Sequence, residues 1–287
     1  MRPELEYRIV TTVSEMAEME ELQRKIWGAS SVSPIPQLMA AVHNGGVVIA
    51  ARHGGMPVGF CYGFAGFKRG KAYLCSHMLG ILPDYRDWGI GRQLKLRQRE
   101  WAMQHGYDKM TWTYDPLEAR NAYLNLCKLG GTVSTYIESY YGDMGDGINK
   151  GLPSDRFVLE WDLSSEQTVR CLDGAVQDQS DWREYPLVLG WECNGEFPRP
   201  VTREPFGGQP PLSGESPLAM QQGILLSVPA AIHPLKQAQP AIAMEWRLAL
   251  RSLCQEAFSQ GYVAVGLLRN DEPVHAYVLE RKGGRMA

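Results

Sequence analysis

A turn with two closely spaced glycines is the segment of this sequence whose residues most clearly suggest chemistry. The residues Arg86-Asp87-Trp88-Gly89-Ile90-Gly91-Arg92 follow a hydrophobic stretch that stops at Pro83, and a helical pattern follows them. Glycine lets the backbone approach a ligand closely. The first N–H groups of a helix have no internal partner and lie at the positive end of its dipole. The spacing therefore predicts a pyrophosphate-binding loop, with a ligand-free tight turn as the alternative.

Two other phosphate-binding motifs fit this segment less well. A P-loop requires Gly-Lys followed by Ser or Thr, and the sequence contains no such tripeptide. The dinucleotide fingerprint requires a third glycine, and this chain has Leu94 at that position. The preceding strand also does not begin a βαβ unit. Neither a P-loop protein nor a dinucleotide-binding protein is expected.

The hydrophobic pattern places this turn inside an α/β domain. Strands are predicted at 7–11, 47–51, 58–67, 72–82, 109–114, 132–139 and 156–163. Helices are predicted from Ser14 to Gly28, from the turn to about His105, and over 118–129. The segment 30–38 contains two prolines and is predicted to be a turn. This order of elements predicts a mixed sheet with helices on its faces.

The residues around the turn resemble a known family. A hydrophobic strand, Pro83, Tyr85-Arg86 and the two glycines, followed by a Leu-bearing helix, are similar to motif A of the GNAT superfamily of acyl-CoA N-acyltransferases. Downstream, Ala122 and Lys128-Leu129-Gly130 resemble part of that family's motif B. Segments 112–117, 120–122 and 151–156 look like a poorly characterised GNAT branch with a C-terminal extension. The resemblance covers about residues 7–163 and implies a GNAT-like mixed central sheet flanked by helices.

The resemblance implies an acyl-CoA co-substrate, either acetyl-CoA or a larger acyl-CoA. It implies that the pantetheine arm pairs, as a strand would, with the backbone of Ile81 and Leu82. It also implies that the CoA phosphates are bound by the turn, whose residues are Arg86, Asp87, Trp88, Gly89, Ile90, Gly91 and Arg92. His77 stands where many GNAT enzymes carry a glutamate base, and an imidazole can accept a proton directly or through water. The alternative for His77 is a structural histidine packed in the sheet.

The general acid is the point at which this chain departs from the GNAT pattern. The usual motif B tyrosine aligns with Leu126. The nearest candidate replacements are Tyr123, Cys127, Tyr136, Tyr140 and Tyr141, of which Tyr123 is one helical turn from the expected position. Packing is the alternative role of this aromatic ring, and a CoA thiolate can also leave without a dedicated acid. The missing tyrosine motivates a second hypothesis, a non-catalytic acyl-CoA-binding module.

Polar residues beside strands 109–114 and 156–163 are further candidates for ligand binding. Asn121 could hydrogen-bond CoA. Asp115 could contact the substrate or could cap the following helix. Arg156 could hold a substrate carboxylate with two hydrogen bonds or could pair with Asp155 at the surface. Three basic residues are expected on the solvated face of the helix after the turn, one of them near the CoA 3′-phosphate: Lys95, Arg97 and Arg99.

The composition limits the classes of partner. The 287 residues carry 29 Lys+Arg against 32 Asp+Glu, a formal charge of -3, so nucleic acid and anionic membrane are not the expected partners. No apolar run reaches the roughly 18 residues needed to span a bilayer. The N-terminus lacks the apolar core of a signal peptide, and a cytoplasmic location is expected. The six cysteines form no Cys-x-x-Cys pair, so no metal is expected.

The sequence changes in character after residue 163. Ten of the 18 prolines lie between Pro186 and Pro240, and 207–211 is predicted to be an exposed loop. Strands are then predicted at 223–228, 263–268 and 274–280, with a helix at 240–260. We predict a GNAT-like domain at 1–163, a Pro/Gly-rich connecting region at 164–222 and a small C-terminal α/β unit at 223–287. The last could form a homodimer or shape the acceptor pocket.

The function implied by the resemblance is N-acyl transfer. An acetyl group, or a larger acyl group such as succinyl, would move from acyl-CoA to the amine of a small molecule, and an amino acid is one candidate acceptor. Arg156 or Arg120 could bind an additional carboxylate in the succinyl case.

Overall fold

The computed structural model describes residues 4–142, 151–174, 181–193, 195–203 and 221–281. The chain divides into two units, one with Met1–Trp112 and Glu160–Ser165, the other with Thr113–Leu159 and Glu166–Ala287. The domain boundaries at 163 and 222 stay a prediction, and the loop expected at 207–211 lies outside the described residues. Across the described ranges, no helix combines the length and the apolar character needed to cross a membrane.

The first unit contains a mixed sheet with helices on both faces. Its strands are β1 (Leu5–Ile9), β2 (Val47–His53), β3 (Met56–Lys68), β4 (Lys71–Ile81) and β5 (Lys109–Tyr114), the last continuing into the second unit. Its helices are α1 (Val13–Trp27), α2 (Ile35–His43) and α3 (Ile90–Gln104). The strands lie in chain order, antiparallel from β1 to β4, whereas β4 and β5 are parallel. The predicted mixed α/β fold is confirmed.

Local chemistry explains where α1 and α2 begin. Thr12, rather than Ser14, caps α1, and its side chain forms a capping box with Glu15. The prediction of a turn over 30–38 is wrong from residue 35 onward, because α2 begins there. Pro36 lies in the first turn of α2, where a missing N–H costs no intrahelical hydrogen bond. The two prolines therefore mark the start of a helix rather than its absence.

Two apolar layers hold the sheet of the first unit. On one face, α1 and α2 bury side chains against β2 and β3, among them Met16, Met19, Leu38, Phe60 and Tyr62. On α3, Ile90, Leu94 and Ala102 are buried. Helix α3 reaches the other face, since the Cys61 thiol on β3 contacts the backbone oxygen of Leu94 at 3.7 Å. The turn before α3 is thus attached to a well-packed strand–helix pair.

The second unit contains a larger sheet. Its further strands are β6 (Thr132–Ile137), β7 (Arg156–Asp162, whose end belongs to the first unit), β8 (Leu187–Cys193), β9 (Pro198–Thr202), β10 (Gly223–Pro229), β11 (Tyr262–Leu268) and β12 (Val274–Arg281). They lie in the order β7-β6-β11-β12-β10-β8-β9. The helices are α4 (Ala119–Ala122), α5 (Glu166–Leu172), α6 (Ile232–Ala238) and α7 (Pro240–Ser259). The sequence pattern did not predict β8, β9, α5 or α6.

The helix predicted over 118–129 has an unusual form. Only Ala119–Ala122 is α-helical, and Tyr123–Lys128 continues as a π-helical turn. The N–H of Leu129 donates to the oxygen of Leu124 at 3.0 Å, five residues back, which closes that wider turn. Gly130 then ends it with a φ of 77°. Single π-helical turns of this kind occur frequently at functional sites.

Candidate active site

The turn before α3 has the backbone conformation that an anion site requires. Pro83–Tyr85 forms a short 3₁₀ turn, and Gly89 has a left-handed φ of 79°. Gly89 is the N-cap residue of α3, and no side chain caps the helix from there. The first N–H groups of α3 therefore lie next to an exposed glycine at the positive end of the helix dipole. This arrangement can accept phosphate oxygens.

An aromatic cluster holds the turn against β2. The Nδ1 atom of His53 lies 3.1 Å from the hydroxyl of Tyr85. The ring of Trp88 lies 4.9 Å from that of Tyr85 and 5.9 Å from that of His53, measured between centroids. Arg86, between the two aromatic residues, is exposed. The cluster fixes the turn while it leaves a cationic side chain in solvent beside the start of α3.

The second glycine of the turn lets α3 approach β4 closely. A Cβ atom on Gly91 would lie 3.3 Å from Cδ1 of Ile81 and 3.7 Å from Cδ2 of Leu79. The first contact is tighter than ordinary van der Waals separation, so the Ile81 side chain would have to shift by a few tenths of an ångström to make room. Gly89 and Gly91 thus have different tasks, since Gly89 provides the left-handed conformation and Gly91 the close packing.

The free edge of β4 can be assigned from its register with β3. The N–H of Leu82 donates to the oxygen of Val58 at 2.9 Å, and Ile81 lies opposite Gly59. Hydrogen-bonded and non-hydrogen-bonded pairs alternate along an antiparallel ladder. The N–H and C=O groups of Ile81, and of Leu79 two residues earlier, therefore point away from β3.

Strand β5 pairs with the edge of β4 that faces away from β3. The described register of β4 with β5 consists of Leu74 with Met110 and Cys75 with Thr111. Beyond Cys75, the β5-facing groups of β4 are available to an extended chain of amides, which a strand edge can bind by β-augmentation. Leu82 contributes less to this edge, because its N–H is used by β3 and its oxygen accepts the N–H of Tyr85 at 3.0 Å.

His77 is the extra residue of a β-bulge. Tyr62 lies opposite Met78 and Gly63 lies opposite Ser76, so His77 has no partner residue on β3. Its exposed ring packs edge-on against Tyr62, with 5.9 Å between the ring centroids. Desolvation by the surrounding groups lowers the pKa of His77 below its usual value. The ring is therefore neutral near pH 7 and can accept a proton.

Lys95 does not lie on a solvated face as predicted. It is 3% exposed, and its Nζ atom donates to the hydroxyl of Ser76 at 2.6 Å. Four residues after Gly91, it lies on the helix face that meets β4. Of the other two basic residues, Arg97 is exposed, whereas Arg99 is half-buried and donates to the oxygen of Leu163 at 2.8 Å.

The residues proposed near motif B lie in the second unit. Tyr123 begins the π-helical turn, and its half-buried ring faces the guanidinium of Arg269 at 4.8 Å and the ammonium of Lys128 at 5.3 Å. Asn121 is exposed. Leu126, at the position of the usual tyrosine, is fully buried. The roles of Tyr123 and Asn121 stay predictions.

Asp115 and Arg156 lie close together in the second unit. The Asp115 carboxylate accepts the N–H of Leu117 at 2.8 Å, as a residue that starts a turn does, and it lies 3.9 Å from Nη1 of Arg156. Arg156 is 8% exposed and donates to the backbone oxygen of Asp155 at 2.9 Å. The alternative of a surface pair between the Arg156 and Asp155 side chains is thus wrong.

Arg247 is the residue of this cluster that sequence analysis missed. It lies on α7, is 1% exposed, and its Nη2 atom binds both carboxylate oxygens of Asp115, at 2.7 and 2.8 Å. Its Nε and Nη1 atoms are buried and find no hydrogen-bond partner among the described residues. Arg247 lies directly after Trp246 and three residues before Leu250, on the apolar face of the helix. A charged residue on that face is the sequence signal that could have identified it.

A second ion pair stands beside this cluster. Arg251 binds Asp155 through two hydrogen bonds of 2.8 and 2.9 Å, and Asp155 is fully buried. Asp155 also accepts the hydroxyl of Tyr136 at 2.6 Å and the N–H of Ser139 at 3.1 Å. Burial raises the pKa of Tyr136, so this hydroxyl remains a hydrogen-bond donor. Within the ranges that the structure describes, no group of three or more His, Cys, Asp or Glu side chains could hold a metal ion.

The comparisons with known proteins define the class of the domain that carries this turn. Residues 14–128 match the model of the Acetyltransferase (GNAT) family, and this segment includes the turn and β4. The segment 14–128 therefore belongs to the GNAT family, and the predicted resemblance is confirmed over these residues. The family is one of acyl-CoA-dependent acetyltransferases. No curated protein matches the chain.

Solved structures with similar folds have low sequence identity to this chain. Arabidopsis thaliana Naa50 in complex with a bisubstrate analogue is 18% identical, covering 54% of this chain and 97% of its own, with a TM-score of 0.44. The Escherichia coli ribosomal-protein-S18-alanine N-acetyltransferase is 12% identical, with coverages of 56% and 96% and a TM-score of 0.46. The protein yncA from Salmonella typhimurium, with its cofactor acetyl-CoA, is 17% identical, with coverages of 56% and 95% and a TM-score of 0.46.

Proposed function

We propose that this protein transfers an acyl group, acetyl or a larger group such as succinyl, from acyl-CoA to the amine of a small molecule. The observation that carries the proposal is the uncapped start of α3 behind the left-handed Gly89, within a segment that matches the GNAT family. The free edge of β4 at Leu79 and Ile81 supports it, because a pantetheine arm is an extended chain with two amides. The site holds the donor through backbone groups and the exposed Arg86.

The reaction requires a base and a leaving thiolate. The acceptor ammonium must lose a proton to expose its lone pair, and the amine then attacks the thioester carbonyl carbon. The tetrahedral intermediate loses a second proton from this nitrogen as it collapses with release of the CoA thiolate. His77 is the proposed base, because the bulge projects its neutral ring into solvent. A backbone N–H on the free edge of β4 can donate to the carbonyl oxygen as negative charge develops there. The thiolate takes a proton from Tyr123 or from water.

The acceptor we propose is an amine that also carries a carboxylate, such as an amino acid. Its supporting observation is the cluster of Asp115, Arg156 and Arg247, in which two buried nitrogens of Arg247 have no hydrogen-bond partner in the described ranges. Buried donors without acceptors are costly, and a carboxylate would satisfy them. Asp115 is the group of opposite charge that could orient an ammonium.

A non-catalytic acyl-CoA-binding module is the second candidate. The observation that favours it is the fully buried Leu126 in place of an acidic hydroxyl. Both candidates predict binding of acyl-CoA, so binding alone cannot separate them. They differ in whether an acceptor accelerates the release of free thiol.

The separating experiment follows the release of free thiol from acetyl-CoA and succinyl-CoA with a panel of amino acids and simple amines. We expect at least one acceptor to give release above the rate of hydrolysis without acceptor. Binding of acyl-CoA with no acceptor-dependent release would leave only the binding module.

His77→Gln tests the proposed base in the same assay, with His43→Gln at an exposed position as the matched control. The wild-type and control rates should fall on acidification through a pKa below about 6.5, since desolvation lowers the pKa of His77. The variant should be slower and should lose this inflection. An unchanged pH–rate profile would contradict the role of His77.

A further inference from the structure

A buried cation without an acidic partner lies beneath the bulge of β4. The Nζ atom of Lys95 donates to Ser76 at 2.6 Å and lies 3.5 Å from the centroid of the Trp112 ring. The groups that act on its charge are two thiols, those of Cys61 on β3 and Cys75 on β4. Among the described residues, no carboxylate forms an ion pair with it. Buried ammonium groups are normally paired, because an isolated charge is costly away from water.

A second donor beside Lys95 also lacks an acceptor. The hydroxyl of Ser76 donates to Oε1 of Gln98 at 2.6 Å and accepts from Lys95, so its strongest hydrogen bonds are already formed. The Nε2 atom of Gln98 is buried and has no hydrogen-bond partner within the part of the chain that the structure describes. The network thus has more N–H donors than oxygen acceptors. A carboxylate, with a negative charge and two acceptor oxygens, is the group that would complete it.

The position of this network in the fold relates it to the acyl donor. Ser76 and Trp112 are the residues directly after the last described β4–β5 pair, Cys75 with Thr111. The free edge at Leu79 begins three residues further along β4, about 10 Å at the usual rise per residue. Lys95 and Gln98 are both hydrogen-bonded to Ser76, so they lie beside the point where the described pairing of β4 with β5 ends.

We propose that Lys95 and Gln98 form the end of an acyl-chain subsite, and that the preferred donor is an acyl-CoA whose acyl group ends in a carboxylate, such as malonyl-CoA or succinyl-CoA. This inference rests on the proposed function, since it requires the donor to lie along the edge of β4. The terminal carboxylate pairs with the Lys95 ammonium and accepts the free N–H of Gln98. An acetyl group has no acceptor at that end and leaves both donors unpaired.

Proton uptake by Lys95 on binding of the acyl-CoA is a second measurable consequence of this proposal. Burial lowers the pKa of Lys95 from 10.5 to about 7, so without an anion the amine is mostly neutral at pH 8. The neighbouring thiols stay protonated there, because burial raises the pKa of Cys75 and raises that of Cys61 to about 12. Ser76, Gln98 and Trp112 do not titrate. A carboxylate bound beside Lys95 raises its pKa again, and binding then takes up a proton.

The test measures the affinities of acetyl-CoA and succinyl-CoA by calorimetry at pH 8, in buffers of different ionisation enthalpy. We expect wild type to bind succinyl-CoA at least tenfold more tightly and with proton uptake. Lys95→Met should bring the ratio of the two affinities to about one and abolish the uptake. Lys25→Met, at an exposed position on α1, is the matched control and should keep the preference.

Gln98→Glu is the second variant and does not remove the buried amine. Its carboxylate supplies the missing acceptor from within the protein, so it should also abolish the succinyl preference while keeping the fold. Equal wild-type affinities for the two donors would overturn the subsite, as would a preference that survives in both variants. If wild type bound neither acyl-CoA, the proposed function would fail first, and the two failures are thus distinguishable.

Discussion

Replacement of Lys95 by methionine should stabilise the protein, and by an amount that depends on pH. Lys95 is 3% exposed, and burial lowers its pKa from 10.5 to about 7. At about 1.4 kcal/mol for each pH unit between the two values, the buried ammonium costs folding on the order of 5 kcal/mol below pH 7. Methionine fills a similar volume without a charge. The contact with the Trp112 ring is lost, which offsets about 1–2 kcal/mol of the gain.

The direction of this pH dependence follows from the pH ranges in which Lys95 is protonated in the folded and in the unfolded protein. Below pH 7 the lysine is charged in both states, so the cost of the buried charge is fully present. Between pH 7 and 10.5 the unfolded chain holds a proton that the folded protein has lost, and wild-type stability therefore rises with pH relative to the variant. Above 10.5 the amine is neutral in both states and the cost disappears.

The assay is urea unfolding of wild type and Lys95→Met from pH 6 to 10.5, monitored by tryptophan fluorescence. The stability advantage of the variant should be largest near pH 6 and should shrink as pH rises. Lys25→Met controls for the loss of a surface charge. A difference between wild type and Lys95→Met that stays constant over this range would refute the reasoning, because Lys95 would then titrate alike in both states.

Two further variants test the packing of each unit. Arg251→Met removes the two hydrogen bonds that Arg251 donates to the fully buried Asp155 and should lower the free energy of unfolding by about 3–5 kcal/mol. Arg199→Met breaks an exposed pair and should cost less than about 1 kcal/mol. Equal losses in urea unfolding would contradict the importance of burial. Thr12→Ala removes the cap of α1 and should lower the free energy of unfolding by about 1 kcal/mol. The control Thr11→Ala should lower it clearly less. An equally large loss in Thr11→Ala would argue against the cap.

The fold of the first unit follows from local patterns to a large extent. The helix after the turn and the end of α1 at Gly28 depend on signals from neighbouring residues, and both are present. The strand β9 could not be predicted, because its two prolines conceal the strand pattern. Pro198 and Pro200 lie in the last strand of the sheet, where an edge position tolerates a missing N–H. Edge position is a tertiary property that the sequence pattern does not contain.

The sequence predicts only the part of the site that depends on backbone conformation. The two glycines identify the turn, because conformation and close packing both restrict that choice of residue. Lys95 was misplaced because a lysine on a helix is usually solvated, and nothing local shows that Ser76 and Trp112 will bury it. Arg247 was missed for the same reason, since its partner Asp115 is distant in sequence.

The affinity of acetyl-CoA for Gly89→Val tests the central claim most directly, with Gly70→Val as its control. The two glycines have φ values of 79° and 78° and open space at the position of a Cβ atom, so valine strains both backbones alike. Only Gly89 stands at the start of α3. Calorimetry should show at least a tenfold loss of affinity for Gly89→Val and none for Gly70→Val. Wild-type affinity in Gly89→Val, or an equal loss in both variants, would contradict acyl-CoA binding at this turn.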